Sequence, residues 1–401
     1  MSAPAHGSSG NTRTPACPDR PQRVVAHVHT TYLKPSETFI HHYLANHRRF
    51  APIVLARELM NLDRFPLPPG DVYRLDPRRH GVGWLVNGLS RRLLGRDLRG
   101  RRILAQRDAA LVHAHFGPSG VVALPLVRGG RRPLVTTFYG HDLSARSLVA
   151  SLAPAYRRLF DRGNLFLVEG PHMCEQLHAI GCPAEKIAIQ RIALPVAALG
   201  FRARLAKPRG EPVRLLAAGR FVEKKGFAYT LEAVRAAREH HPDLELRIVG
   251  DGPDAGAISA EIARLGIESN VRLLGFLGYA DYLAELEAAD IFIQPSVTAA
   301  DGDSEGGAPT SILEAQALGV PVLASRHADI PNVVDDGRSA LLSPERDAAV
   351  LAGHLLRLLA DPDSWAEMGR AGRRFVETHH DIGPQVVELE RKYDLLVDRP
   401  S

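Results

Sequence analysis

Residues 301–322 read DGDSEGGAPTSILEAQALGVPV, directly after the β-branched run DIFIQPS at 290–296. An apolar run, an acidic and glycine-rich loop, then an apolar helical pattern is the repeating unit of a doubly wound parallel sheet. The loop indicates what the unit could hold. Pro309 suits the first position of the helix, and Gly306, Gly307 and Ala308 let a ligand approach the backbone closely. The helix N-terminus behind them offers free N–H groups to a phosphate. Thr310 and Glu314, four residues apart, share a helix face. Glu314, one turn in, can accept bonds from ribose hydroxyls while a diphosphate rests nearer the helix start. Glu305 stands on the loop, placed to hold a sugar hydroxyl or offset positive charge at a reacting carbon. Asp301 and Asp303 leave two readings open. They could ligate a divalent ion bridging two phosphates, or they could belong to a surface turn.

The same alternation extends outward in both directions. The candidate strands before residue 200 are RVVAHVHT, PIVLA, ALVHAHF, LVTTFY, NLFLV and IAIQRIAL, with a helix over 37–48 that begins after Ser36 as N-cap. After residue 212 the pattern restarts with VRLLAAG, LELRIVG, VRLLGF, DIFIQPS, PVLAS and SALLS. Helices are predicted at about 226–240, 254–265, 279–289, 309–319 and 345–360, and a last helical stretch runs from Trp365 to Asp398. FRARLAKPRGEP (201–212), basic and marked by Pro and Gly, reads as a linker. The expected organisation is a disordered tail over 1–22, a Rossmann-like domain over 23–200, the linker, a second Rossmann-like domain over 213–375, and a terminal segment over 376–401. Ligands in such sheets bind beyond the carboxyl ends of the strands, so the cleft between the domains is the expected site.

Composition narrows the class further. At 401 residues, 45% hydrophobic and 24% charged, the chain fits a two-domain globular protein. No apolar run is long enough to span a bilayer. Cys17, Cys174 and Cys182 show no metal-ligand spacing, and a reducing cytoplasm is the expected location. Residues 1–200 carry 27 Lys and Arg against 13 Asp and Glu, whereas residues 201–401 carry 23 against 32. Much of the excess lies in SRRLLGRDLRGRRILAQR, where Arg91, Arg92, Arg96, Arg99, Arg101 and Arg102 surround leucines. A solvated Arg-rich face accounts for this; so would contact with an anionic membrane surface or a phosphate-bearing acceptor. No nucleic-acid-binding motif is present, and no nucleic-acid partner is expected.

A second anchor is AAGRFVEKKGF, residues 217–227, where Gly219 leads to Arg220 and Lys225. RIVGDGP adds a strand-end turn with Gly250 and Gly252. His113 and His115 share a strand face by their period of two; zinc would need a third ligand. No Ser-His-Asp or Cys nucleophile set emerges.

EGGAPTSILEAQALGVPV and AAGRFVEKKGF together resemble the nucleotide-sugar site of retaining GT-B glycosyltransferases of family 4. HTTYLKPSETFI, HAHFG, TTFYGHDLS and HMCEQLHAIGCPAEKIAIQRIAL resemble the exopolysaccharide branch of that family, of the colanic acid kind. The resemblance covers roughly residues 23–375. It implies two facing Rossmann-like domains, with the last helix crossing back onto the first. It further implies transfer of a hexose-type sugar from a nucleoside diphosphate sugar, UDP being the expected base, to an acceptor hydroxyl with retained configuration and no metal cofactor. The acceptor would be a glycan, a lipid-linked carrier or a small molecule, with possible peripheral contact at the inner membrane face. In the site it implies, Arg220 and Lys225 clamp the diphosphate, Glu305 to Thr310 hold the sugar and phosphates, and Glu314 the ribose.

This chain departs from the family pattern in four places. Glu305 and Glu314 lie nine positions apart where the pattern gives eight. YLKPSETF replaces a glycine-rich first loop, so Ser36 and Glu37 are expected to face the cleft. Tyr139 stands where many members place a histidine, and His141 follows two residues later, on the same side if the strand continues, with Asp142 to orient it. Asn332 closes an IPE-like motif as Ile330-Pro331-Asn332. His115, Tyr139 and Asp142 are therefore candidate acceptor-side residues, and His141 a candidate catalytic one. The rival readings are the same chemistry on a small natural product, a nucleotide-sugar 2-epimerase, and a non-catalytic nucleotide-sugar-binding subunit.

Overall fold

The computed structural model describes residues 23–68, 70–76, 82–129, 132–208 and 210–398. The predicted tail over 1–22, with Cys17, lies outside them. The first half forms a seven-stranded sheet from Arg23–Tyr32 (β1), Phe50–Leu59 (β2), Val72–Arg74 (β3), Ala109–His115 (β4), Leu134–Thr137 (β5), Leu165–Val168 (β6) and Ile187–Ile189 (β7). The second forms a six-stranded sheet from Arg214–Ala218 (β8), Glu245–Val249 (β9), Val271–Gly275 (β10), Ile291–Gln294 (β11), Val322–Ser325 (β12) and Ala340–Ser343 (β13). Their orders are β3-β2-β1-β4-β5-β6-β7 and β10-β9-β8-β11-β12-β13, with every pairing parallel. Helices cover both faces of each sheet, which is why the strands are near-continuous apolar runs: all four residues of β11 and of β12 are buried. Each order reverses direction once, beside β1 and β4 in one sheet and β8 and β11 in the other, and a crevice opens at such a reversal.

Several boundaries differ from the sequence reading. The helix predicted from 37 spans Thr38–Asn46 with Glu37, not Ser36, at its N-cap; neither side chain caps it, because the Glu37 carboxylate turns back to accept the Lys34 N–H at 2.9 Å. β3 was not anticipated, being three residues long. IAIQRIAL contributes only three residues to a strand. The Gln190 N–H still donates to the Val168 carbonyl at 2.8 Å, and beyond it the side chains of Gln190 and Arg191 bond Gln385 and Asn332. The helix 365–398 is two, Trp365–His379 and Ile382–Val397, broken where the Asp381 carboxylate caps the Gly383 N–H at 2.9 Å. The second of these buries Val386, Leu389 and Tyr393 against Val25, Phe50, Leu111 and Val135 of the first domain. The linker is pinned rather than loose: buried Arg204 donates to the carbonyls of Arg202, Leu286, Glu287, Ala289 and Leu318.

Candidate functional site

The site lies where the carboxyl ends of β5 and β6 in the first sheet face the loop after β11 in the second. Beyond β8, Gly219 leads to Arg220, whose guanidinium is exposed and has no hydrogen-bond or ion-pair partner among the described residues. Lys225 is engaged: its Nζ lies 2.9 Å from Glu305 Oε1, which also accepts the Ser296 hydroxyl at 3.0 Å. Burial pushes the Glu305 pKa up, but Lys225 and Lys224 outweigh it and hold the carboxyl below its ordinary value. Lys224 was missed in the sequence because its neighbour fits the phosphate-turn pattern. It donates to Asp303 Oδ1 at 3.1 Å and to the Ser304 carbonyl at 2.9 Å.

Asp303 thus has protein cations as partners. Burial raises its pKa, yet His141, 3.2 Å away, and Lys224 bring it to about 2. Asp301 Oδ1 accepts the Asp303 N–H at 2.8 Å, as an aspartate in a turn does. Among the described residues, the group close enough to share a metal is His27, His113 and His115, and it includes neither aspartate.

Beyond β11 the loop enters the helix Thr310–Ala317, with Pro309 at the N-cap rather than first inside. No acceptor among the described residues pairs with the N–H of Thr310 or Ser311, leaving two donors at a positive helix end. Glu314 is buried, and both its oxygens are taken: Tyr279 Oη donates at 3.0 Å and Tyr282 Oη at 2.9 Å. Burial pushes its pKa up to about 7 against those two bonds. The tyrosines, three apart on one helix, were unread because a Tyr pair at helical spacing also serves a core. A Cβ on Gly250 or Gly252 would meet the backbone of Gly219 or Phe221, so these glycines let two strand ends pack together.

From the first domain, β5 ends at Thr137, so Tyr139 and His141 do not share a face. Tyr139 turns inward, 2.7 Å from His115 Nδ1, while His141 turns out to Asp303. Asp142 does not orient His141: its buried carboxylate accepts the N–H groups of Gly117 at 2.7 Å and Tyr139 at 3.0 Å, fixing the loop. Ser36 is exposed and Glu37 buried over its own turn. His115 is buried behind Tyr139. A residue the sequence reading passed over closes the site: Glu169, at the end of β6, accepts the Ala308 N–H at 2.7 Å. Its position just beyond the carboxyl end of a parallel strand was the available signal. Burial raises its pKa well above the ordinary range, and its Oε1 has no partner. Gly140 and Gly306 meet backbone to backbone across the cleft: a Cβ on Gly140 would lie 2.7 Å from the Glu305 carbonyl oxygen.

Two Rossmann-like domains closing over a helix N-terminus, an unpaired arginine and a Lys–Glu pair define a GT-B fold. Residues 212–361 match the family of group 1 glycosyl transferases, and residues 53–190 match Glycosyltransferase Family 4. WcaL of Escherichia coli K12, named for colanic acid biosynthesis, is 37% identical over 280 residues, 69% of this chain and 68% of WcaL. The amylovoran biosynthesis glycosyltransferase AmsK of Erwinia amylovora is 37% identical over 268 residues, 66% of this chain and 65% of AmsK. The chain belongs to the family 4 glycosyltransferases. Its fold is also that of Anabaena HepE, crystallised with UDP (TM-score 0.74, 17% identity, 93% of this chain and 100% of that one). The sucrose-phosphate synthase of Thermosynechococcus elongatus shares it as well (TM-score 0.70, 18% identity, 95% and 100%).

Proposed function

We propose that this protein moves a hexose-type sugar from a nucleoside diphosphate sugar, with UDP as the base, to an acceptor hydroxyl in exopolysaccharide assembly. The observation that carries the reading is the unpaired Arg220 beside Lys225, together with the free N–H groups of Thr310 and Ser311. In this reading the two cations and the helix end take the charge of the departing diphosphate, so no metal is needed. The acceptor hydroxyl attacks from the face the diphosphate leaves and gives its proton to a diphosphate oxygen. The anomeric bond breaks and forms on one side, and configuration is retained. WcaL, named for colanic acid biosynthesis, and AmsK, named for amylovoran biosynthesis, support the pathway.

Calorimetric titration tests this. UDP is expected to bind in EDTA, unchanged by manganese, and Arg220→Ala to weaken it by about tenfold to a hundredfold, the worth of a charge-assisted bond. Binding that appears only with manganese would overturn the metal-free reading. The titration has a pH signature. Beside the bond from its tyrosine, each oxygen of ionised Glu314 keeps a second lone pair for a ribose hydroxyl, and protonation removes acceptor capacity, so affinity is full above its pKa of about 7 and falls as pH drops through it. Glu314→Gln should remove that component, separating it from titration of UDP itself.

The reading includes contact with an anionic membrane. The helix Val82–Leu93 is inverted: Asn87 and Ser90 are buried, while Leu85, Val86, Leu89 and Leu93 are 50 to 69% exposed. Arg92, Arg96, Arg99 and Arg102 stand exposed around that stripe and the adjoining Leu94 and Leu98. An apolar stripe ringed by guanidinium groups suits the headgroup layer of an anionic bilayer. No helix among the described residues is long and apolar enough to cross a membrane. Flotation with phosphatidylglycerol vesicles should recover the protein, and Leu89→Glu with Leu93→Glu should cut partitioning roughly a hundredfold without lowering Tm. Equal recovery with neutral vesicles, or none with either, would remove the membrane from the reading.

A further inference from the structure

Two side chains that neither the motifs nor the proposed chemistry use tie the loop 295–309 to the sheet behind it. His327 and Glu345 stand two residues beyond the ends of the neighbouring parallel strands β12 and β13, whose last residues, Ser325 and Ser343, pair. That is the carboxyl edge, where such sheets place their sites. Glu345 Oε2 accepts the Thr298 N–H at 2.9 Å, early in the loop. Its Oε1 lies 2.6 Å from His327 Nδ1, and His327 Nε2 accepts the Glu305 N–H at 3.1 Å, late in the loop. The His327 side chain is buried. Glu305 is thus held twice, at its main chain by His327 and at its carboxylate by Lys225 and Ser296.

Main-chain donors fix the direction of these bonds. A backbone N–H only donates, so the Glu305 N–H requires a bare lone pair on His327 Nε2. The ring proton is then on Nδ1 and is donated to Glu345. An imidazolium would set its own Nε2–H against the Glu305 N–H. Glu345 suits the part: burial raises its pKa, but the Thr298 N–H and the His327 bond outweigh that and hold the carboxyl below its ordinary value. The backbone carries a second, independent sign. Ala328, directly after His327, has φ 47°, and Arg346, directly after Glu345, has φ 63°. Both are left-handed without being glycine, a strain that persists where the surroundings hold a functional geometry. Among the described residues only Asn61, Asp108 and Phe116 share it.

We propose that His327 and Glu345 are positioning residues for sugar transfer: the bare Nε2 of His327 fixes the Glu305 main chain and thereby aims the Glu305 carboxylate at Lys225 and the sugar. This deepens the glycosyl-transfer reading and its kinetic part rests on it. The loop has one residue more between Glu305 and Glu314 than the family pattern, and the anchor on the Glu305 N–H removes the freedom that residue adds.

Nitrogen NMR of the full chain labelled at histidine tests the proton position. The ring whose signals vanish in His327→Gln should carry its proton on Nδ1 and leave Nε2 bare. A proton on Nε2, in a neutral or a charged ring, would overturn the proposal. The kinetic arm measures release of UDP from a UDP-hexose. His327→Leu should lower kcat about tenfold, the worth of one hydrogen bond, and leave UDP affinity within about threefold. His327→Gln, which can offer an amide oxygen to the Glu305 N–H, should restore most of the rate. Glu345→Gln keeps the volume but has one acceptor oxygen for two donors, so it should lose rate as His327→Leu does. In a Glu305→Ala background, His327→Leu should change kcat by less than about twofold. A full loss in that background, or UDP affinity falling in step with kcat, would show that the pair only supports the fold and would overturn the proposal. The proton position does not depend on which reaction is catalysed, so its failure is distinguishable from failure of the glycosyl-transfer reading.

Discussion

Lys225→Ala should lower kcat/KM by about a thousandfold, against roughly a hundredfold for Arg220→Ala. The two cations are not equivalent. Arg220 is exposed and unpaired, so its removal subtracts one charge-assisted contact to the diphosphate. Lys225 and Glu305 are 15% and 7% exposed at their side chains, a nearly dry ion pair. Removing the lysine leaves a buried carboxylate whose largest influence is burial, which raises its pKa, with Lys224 the next cation. Glu305 then takes up a proton, and the site loses negative charge near the anomeric carbon as well as positive charge at the phosphate. Release of nucleoside diphosphate from the donor measures both variants. A loss under tenfold for Lys225→Ala would mean the pair is structural and the diphosphate is held elsewhere.

The parts of this site legible in the sequence were those whose chemistry is local. Gly306 to Thr310 and Glu314 sit on one strand–loop–helix unit, and Arg220 with Lys225 on another, so spacing alone brought each set together. The parallel sheets were legible for a related reason: strands buried on both faces must be apolar throughout. What was illegible depends on contacts between distant segments. Glu169 meets Ala308 across 139 positions, Tyr279 and Tyr282 reach Glu314 across 35 and 32, and His47 meets Glu390 across 343. No period or motif carries such a pairing. Tyr139 and His141 were misjudged for a smaller reason. Their common face required four more residues of strand, and the Asp142 carboxylate turns the chain away by taking the Tyr139 N–H.

Gly306→Ala should abolish turnover, by at least about a hundredfold, while leaving UDP affinity within threefold. Gly306 has φ 72°, the left-handed region, which costs a non-glycine residue roughly 1 kcal/mol. That cost alone leaves the second domain folded. The added Cβ, however, would fall inside van der Waals contact of the Gly140 Cα on the opposite domain. Backbone on both sides leaves nothing flexible to give way. The domains would be held apart where Ser304 N–H meets Ser144 Oγ at 3.1 Å and Ala308 N–H meets Glu169 at 2.7 Å. The Asp329 carboxylate, which accepts the N–H groups of His172 at 2.9 Å and Met173 at 3.1 Å, lies beside the clash, because the Asp329 N–H donates to the Gly306 carbonyl at 3.3 Å, so that contact is strained as well. A diphosphate bound to Arg220, Lys225 and the helix start touches only the second domain, so its affinity should barely change. The acceptor side would be displaced by an ångström or more, enough to cost about a hundredfold in rate. UDP calorimetry and turnover on the same preparation separate the two effects, with Gly140→Ala, at φ 112°, expected to reproduce them from the other side. Turnover within fivefold of the parent in both variants would mean that catalysis does not require the closed contact between these glycines.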